Sequence, residues 1–260
     1  MEQALILELE EWLDTPQGRY VAAWENAQIS GMVANAFGYH AIQIGLPHWD
    51  LLQANRIPHQ VCTSIEPASG TCRALVVAEP ETLPFDTQSV DLIVLPHGLE
   101  CATNPHQVLR EIERVLVPEG RVVISGFNPW SLWGLRERLP ALDPLVPVPA
   151  PLQVSLPRLK DWFKLLSFEM DRGRFGCYAP PSFTNAWLTR WAFMEKAGDR
   201  WWPICGAVYV VSAVKRVAGA TVVGPEWKRK RKAMRRRAAV ATGRQFNKEY
   251  SRGHEVSDAR

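Results

Sequence analysis

The chain has 260 residues, of which 47% are hydrophobic, and a formal net charge of +3. This composition can bury a full core, which favours one large α/β domain with a tail over two equal domains. The most apolar run, 206–214, is too short to span a bilayer, and the acidic start MEQALILELEEWLD differs from basic signal and transit peptides, so we predict a cytoplasmic protein without membrane binding.

Cysteine and histidine spacing excludes the common disulfide and metal frameworks. The five cysteines are widely spaced and form no C-x-x-C pair, and the six histidines form no H-x-x-x-H pair. We therefore predict reduced, mostly buried thiols and no protein-bound metal.

Positive charge is concentrated at the C-terminus. Residues 225–260 contain 12 Lys and Arg against 4 Asp and Glu, whereas the first 224 residues carry a net charge of −5. Within this tail the run KRKRKAMRRR, residues 228–237, could attract RNA or another polyanion. A disordered tail that only aids solubility is the alternative interpretation.

The N-terminal part is predicted to form two helices followed by a first β-α-β unit. Apolar spacing indicates helices on both sides of an interruption at 15–18, so residues 1–37 are predicted to be helices packed on the core. The first strand is AIQIG, residues 41–45, followed by a helix over 47–54 and a second strand over 61–65.

The middle of the chain predicts a second parallel unit. Short continuous apolar blocks at 74–77, 92–95 and 122–124 are typical of strands buried on both faces. Asn104 and Pro105 suit the start of an amphipathic crossover helix, which we expect to stop at Pro-Glu-Gly, residues 118–120.

After residue 129 the pattern becomes irregular and rich in Trp, Leu and Pro. We predict that 130–157 forms a lid or cap over the strand ends. The remaining predicted elements are a helix at 159–166, a strand at 168–178, a helix at 183–196 and a last strand at 205–215, antiparallel to its predecessor. The core domain is thus 38–217 and the tail 218–260.

Three short motifs resemble one family. Leu83-Pro84-Phe85, Val90-Asp91-Leu92 and the segment 116–124 are together similar to the type 11 branch of class I S-adenosylmethionine-dependent methyltransferases, over roughly residues 38–215. The helix before AFGYHAIQIG and the later LPHGLE resemble an uncharacterised bacterial subgroup. This resemblance implies a Rossmann-like, seven-stranded, mostly parallel α/β sheet with an antiparallel last strand and helices on both faces.

The resemblance also implies a cofactor site for S-adenosylmethionine. The family motif D-x-G-x-G-x-G is degenerate here, since QIGLPH keeps only Gly45. Glu66, 21 residues after Gly45, is the candidate for the ribose hydroxyls, and Glu79 is the candidate for the adenine. Leu83 and Pro96 complete the predicted cofactor contacts. The alternatives are a tight turn for Gly45 and solvated or helix-capping acids for Glu66 and Glu79.

Two residues after the fourth strand are candidate catalytic groups. His97 lies where the family holds the transferred methyl group and could accept a proton, with Glu100 orienting it or the acceptor. A backbone-bonded turn histidine and a first-turn helix acid are the alternatives. Most of the 11 tryptophans are expected to be core residues.

The leading hypothesis is a methyltransferase acting on an unidentified acceptor, which we expect to be a small molecule. A catalytically silent methyltransferase-like module that binds RNA or protein through its tail is the alternative. A nicotinamide dehydrogenase is disfavoured because G-x-G-x-x-G is missing, and a last strand antiparallel between the fifth and sixth positions would exclude it. The sequence does not indicate an oligomeric state.

Overall fold

A computed structural model describes residues 2–67, 74–138, 144–180, 187, 190, 191 and 193–216. The described residues belong to one compact unit. The predicted basic tail, 218–260, lies outside the described residues, as do 139–143 of the predicted cap and much of the predicted helix 183–196.

The described residues contain one sheet with the strand order β3-β2-β1-β4-β5-β7-β6. Neighbouring strands are parallel except that β7 runs antiparallel to both β5 and β6. This confirms the predicted fold class and excludes the dehydrogenase interpretation. The strands are β1 His40–Ile44, β2 His59–Ser64, β3 Leu75–Val77, β4 Val90–Pro96, β5 Leu116–Phe127, β6 Phe168–Gly176 and β7 Val208–Lys215.

Helices cover both faces of this sheet. On one face Val108 and Ile112 of α4, with Phe163 of α6, pack against inward side chains of the central strands. On the other face, Ile29 and Val33 of α2 pack against the alternate side chains. The helices are α1 Glu2–Leu13, α2 Pro16–Val33, α3 Gly98–Cys101, α4 Pro105–Val115, α5 Leu132–Glu137, α6 Leu156–Leu165 and α7 Phe193–Trp201.

Helix α4 begins and ends for local reasons. The Asn104 side chain accepts a hydrogen bond from the backbone N–H of Gln107 at 3.3 Å, and Pro105 occupies the first turn. Its buried residues recur every three or four positions, as predicted, so α4 presents one apolar face to the sheet.

Three details of the prediction differ from the structure. Residues 47–54 form turns instead of a helix, because a neighbouring side chain binds the backbone of this segment, as described below. Helix α4 ends at Val115, before the predicted stop, and 118–120 are a bulged part of β5 in which Glu119 has a φ of 65°. Within the predicted helix 183–196, residues 187, 190 and 193–196 are helical where the structure describes them, and α7 continues to Trp201.

Candidate cofactor site

A small cavity lies at the carboxyl ends of β1, β2, β3 and β4. This is the edge at which open α/β sheets bind ligands. Helix α1 covers the same cavity. Its volume is about 30 Å³, and it is lined by Ile6, Leu9, Ile44, Gly45, Leu46, Thr63, Ser64, Ile65, Ala78, Pro80, Pro96, Gly98, Cys101 and Ala102.

The turn after β1 adopts a backbone conformation that favours glycine. Gly45 has a φ of +83°, and no atom lies within 4 Å of the position that a Cβ would occupy. Leu46 follows with a φ of 50° and is only 3% exposed. Glycine therefore leaves open space at this turn, whereas Leu46 fills the space beside it.

Gln43 holds this turn in place. It occupies the position of the motif's aspartate, is buried, and its Nε2 donates to the carbonyls of Gly45, Leu46 and Trp49 at 3.1, 3.0 and 2.7 Å. Its Oε1 accepts from the backbone N–H of Leu51 at 3.0 Å. One side chain thus satisfies four backbone groups, which explains why 47–54 needs no helical hydrogen bonds.

The predicted cofactor contacts are divided between the cavity wall, its rim and the core. Gly45 and Pro96 line the cavity. Glu66 and Glu79 are exposed, and each adjoins residues that line it. Leu83 is 4% exposed, packs in the core on the α4 face and does not line the cavity. As contacts to a cofactor, all five remain predictions.

His97 and Glu100 belong to a buried ion-pair cluster. The His97 ring is fully buried; its Nε2 lies 3.0 Å from Glu25 Oε1 and its Nδ1 lies 3.0 Å from Glu100 Oε2. Glu100 Oε1 also accepts from the backbone N–H of Phe127 at 2.8 Å, and the Phe127 ring centroid lies 4.3 Å from that of His97. The cluster therefore joins α2, the end of β4, α3 and the end of β5.

This environment keeps the His97 ring protonated. Burial by itself would lower the pKa of His97, but the charge of Glu25 and the hydrogen bond to Glu100 outweigh it and raise that pKa to about 10. Burial also raises the pKa of Glu100, whereas the hydrogen bond to His97 and the charge of His97 oppose this rise. A protonated imidazole cannot accept another proton, so in this conformation the geometry gives His97 a role in joining helices. The catalytic roles of His97 and Glu100 stay predictions.

Sequence reasoning missed Glu25, Ile6 and Leu9. Val21, Glu25 and Ile29 are spaced four residues apart, and all three are buried on one side of α2. A carboxylate within such an apolar stripe was a usable signal that a buried cation faces it. No comparable signal showed that Ile6 and Leu9 would line the cavity, because their spacing fits any amphipathic helix.

Neither a metal site nor a membrane span is found in the described part of the chain. No group of three or more His, Cys, Asp or Glu side chains there could hold a metal ion. No helix among the same residues is both long and apolar enough to cross a bilayer.

Comparisons with known proteins agree with the strand order. Residues 55–124 match the family model described as a methyltransferase domain, of type 11. A solved structure of a SAM-dependent methyltransferase, possible histamine N-methyltransferase, from Thermotoga maritima has a TM-score of 0.53 at 16% identity, covering 81% of this chain and 96% of that chain. Residues 55–124 are thus similar to methyltransferase domains of type 11, and the sheet has the fold of class I methyltransferases.

Two curated relatives of this chain are matched over only part of their length. The Uncharacterized protein YafS of Escherichia coli K12 is 36% identical over 160 residues, which cover 61% of this chain and 65% of that protein. The Ubiquinone/menaquinone biosynthesis C-methyltransferase UbiE of Idiomarina loihiensis is 43% identical over 53 residues, which cover 20% and 21%, respectively. The chain thus spans less than two thirds of the length of either relative.

The family's cofactor fits the residue types at this site but not its volume. Gly45 leaves backbone space, and exposed carboxylates follow β2 and β3. Pockets for small molecules usually measure about 300–1,000 Å³. The cavity of this chain, about 30 Å³, holds about two water molecules. A nucleoside cofactor therefore requires the surrounding residues to move.

Proposed function

We propose that this protein is an S-adenosylmethionine-dependent methyltransferase acting on a small-molecule acceptor. The observation that carries the proposal is the apolar cavity at the carboxyl ends of β1–β4, bordered by Gly45 and located where this sheet topology binds ligands. When bound, the cofactor supplies a methyl group already activated by its sulfonium charge. The protein would mainly hold and orient the two reactants and exclude water from them.

The rim residues have distinct proposed roles. Gly45 lets the ligand approach the backbone after β1, since a side chain there would enter open space. The Glu66 carboxylate would accept hydrogen bonds from the ribose hydroxyls, and the Glu79 carboxylate would accept one from the adenine amino group. Thr63 and Ser64, at the end of β2, add hydroxyls to the cavity wall.

Calorimetric titration of the full chain with S-adenosylmethionine tests the proposal. We expect saturable binding of one cofactor, weakened about tenfold in both Glu66→Gln and Glu79→Gln because each loses about 1.4 kcal/mol of binding free energy. Glu169→Gln is the matched control, since Glu169 is an equally exposed carboxylate on β6. Absence of heat at millimolar cofactor, with the fold intact, would contradict the proposal.

The acceptor is best sought in a panel of small molecules. The relative from Idiomarina loihiensis is named for ubiquinone and menaquinone biosynthesis. A quinol is therefore a reasonable member of the panel, beside amines and phenols. Transfer of radiolabelled methyl groups to one class, reduced in Glu79→Gln when cofactor is below saturation, would identify the acceptor class.

The cavity's small volume favours a second candidate function. If the cavity never opens, the chain is a catalytically silent methyltransferase-like module that binds RNA or protein through residues 228–237. RNA binding that disappears on deletion of 225–260, in a chain that binds no cofactor, would support this alternative. RNA affinity that the deletion leaves unchanged would show that the tail does not bind the RNA.

A further inference from the structure

Helix α1 covers the mouth of the candidate cofactor cavity with two of its side chains. Ile6 and Leu9 line the cavity together with the ends of the parallel strands. Leu9 is only 1% exposed, whereas Leu7, on the opposite side of the same helix, is 52% exposed. The apolar face of α1 is therefore seated on the cavity.

With α1 in this position the cavity cannot hold a nucleoside. Its volume of about 30 Å³ is roughly a tenth of the smallest usual small-molecule pocket. The rest of the wall consists of the β1–β4 ends with the residues that follow them, the Gln43-bound turn, and α3, whose Glu100 is bonded to His97 and Phe127. Helix α1 is the wall element that lies outside this framework.

Helix α1 makes apolar contacts, a long-range hydrogen bond from its last turn, and an electrostatic contact between Glu10 and His48. Leu9 belongs to a buried cluster with Leu46, Cys101 and Phe127, and the Trp12 Nε1 donates to the carbonyl of Leu145 at 2.7 Å. Helix α2, by contrast, is fixed through the buried ion pair between Glu25 and His97. Residues 14 and 15 join the two helices, and a hinge at this turn would let α1 leave the cavity while α2 stays in place.

We propose that α1 is a gate that occupies the cofactor site with Ile6 and Leu9 and must undock before a nucleoside ligand can bind. The identity of that ligand rests on the proposed methyltransferase function, whereas the gating motion does not. The apparent affinity of a gated site equals its intrinsic affinity multiplied by the fraction of molecules that are open. Weakening the seat of α1 should therefore strengthen ligand binding, which is the reverse of what truncating a true ligand contact would do.

Cys101 reports on the gate without any ligand. Its thiol is buried with Leu9 at the cavity wall, so reaction with N-ethylmaleimide requires α1 to move away. In the full chain we expect Leu9→Ala to raise the rate of Cys101 modification at least tenfold, measured by peptide mass spectrometry. Leu7→Ala, with the same change on the exposed side of α1, should stay within twofold of wild type. Cys62, buried in β2, monitors general unfolding.

Titration with S-adenosylhomocysteine provides the second readout. Leu9→Ala should bind at least tenfold more tightly than Leu7→Ala, and amide exchange in residues 2–13 should accelerate when the ligand is added. A rate at Cys101 equal to that of Leu7→Ala, with Cys62 protected, would overturn the gate. If Cys62 also reacts faster, Leu9→Ala has unfolded and the same comparison is made with the half-buried Ile6→Ala. Faster reaction at Cys101 with no ligand bound in any variant would support the gate and refute the methyltransferase proposal.

Discussion

The buried Glu25–His97–Glu100 cluster predicts a specific dependence of stability on pH. The pKa of His97 is raised from an ordinary value of 6.5 to about 10 in the folded protein. Between these two values the folded state holds a proton that the unfolded state has released, so the free energy of unfolding falls as pH rises. The contribution of His97 is fully present below pH 6.5 and lost by about pH 10, at a rate of up to about 1.4 kcal/mol per pH unit.

Glu25→Gln tests the origin of this dependence. The interval between the two pKa values of His97 corresponds to at most about 5 kcal/mol of the free energy of unfolding. Without Glu25 only Glu100 supports the charge of His97, so its pKa should fall and the loss of stability between pH 7 and 10 should decrease by at least half. At pH 7 we expect Glu25→Gln to be less stable than wild type by about 3 kcal/mol, as for other broken buried pairs.

Urea unfolding followed by circular dichroism at pH 7, 8, 9 and 10 measures both effects. Burial raises the pKa of Cys177 and of Tyr209, and these groups also lower stability at alkaline pH. Burial is the main cause for both, but the charge of Glu25 also raises both pKa values. The difference between wild type and Glu25→Gln therefore isolates His97 between pH 7 and 8, below the ordinary pKa values of Cys and Tyr, 9.0 and 10.0. Glu169→Gln, in an exposed pair with Arg216, should follow the wild-type curve. A wild-type stability that is constant from pH 7 to 10, or equally steep in Glu25→Gln, would refute the reasoning.

Two further substitutions test the contacts that close the sheet. Asn128→Ala should lower the free energy of unfolding by about 3 kcal/mol, because the buried Asn128 amide donates to the carbonyls of Ile204 and Gly206 at 2.8 and 2.9 Å. Urea unfolding measures this loss, and a value below about 1 kcal/mol would contradict the prediction. Lys215→Met should cost about 2–3 kcal/mol in thermal unfolding, since the buried ammonium binds the Leu116 carbonyl at 3.1 Å and pairs with a Glu113 carboxylate oxygen at 2.9 Å. An unchanged melting temperature would show that these groups are satisfied by water.

The fold was predictable from the sequence because its signals are local. Continuous apolar blocks marked β4 and the last part of β5, and Asn104 with Pro105 marked the start of α4. Each of these depends on residues within one turn or one strand, so the pattern and the structure agree. The antiparallel last strand was predicted as well, whereas the order of the seven strands came from the structure.

The site was less predictable because it depends on contacts between distant residues. Gln43 binds the backbone up to Leu51, and this replaced the predicted helix over 47–54 with turns. Glu25 meets His97 from another helix, 72 positions earlier in the chain. Whether a histidine at the end of β4 is free or enclosed by carboxylates is decided by that packing, and the short motifs around it carry no information about it.

The two N-terminal helices are attached to the sheet by different kinds of interaction. This difference supports the proposal that α1 moves while α2 stays fixed. Helix α2 is fixed by a charged group with no solvent exposure, and breaking that contact would leave a buried charge without a partner. Helix α1 is held mainly by apolar side chains, which bury the apolar wall of the cavity. The apolar surface of a ligand can bury the same wall in their place. A nucleoside with a purine ring could therefore substitute for Ile6 and Leu9 at modest cost, whereas no neutral ligand could substitute for Glu25. On these grounds we expect motion in the N-terminal region to begin at the turn before α2 and to leave His97 enclosed.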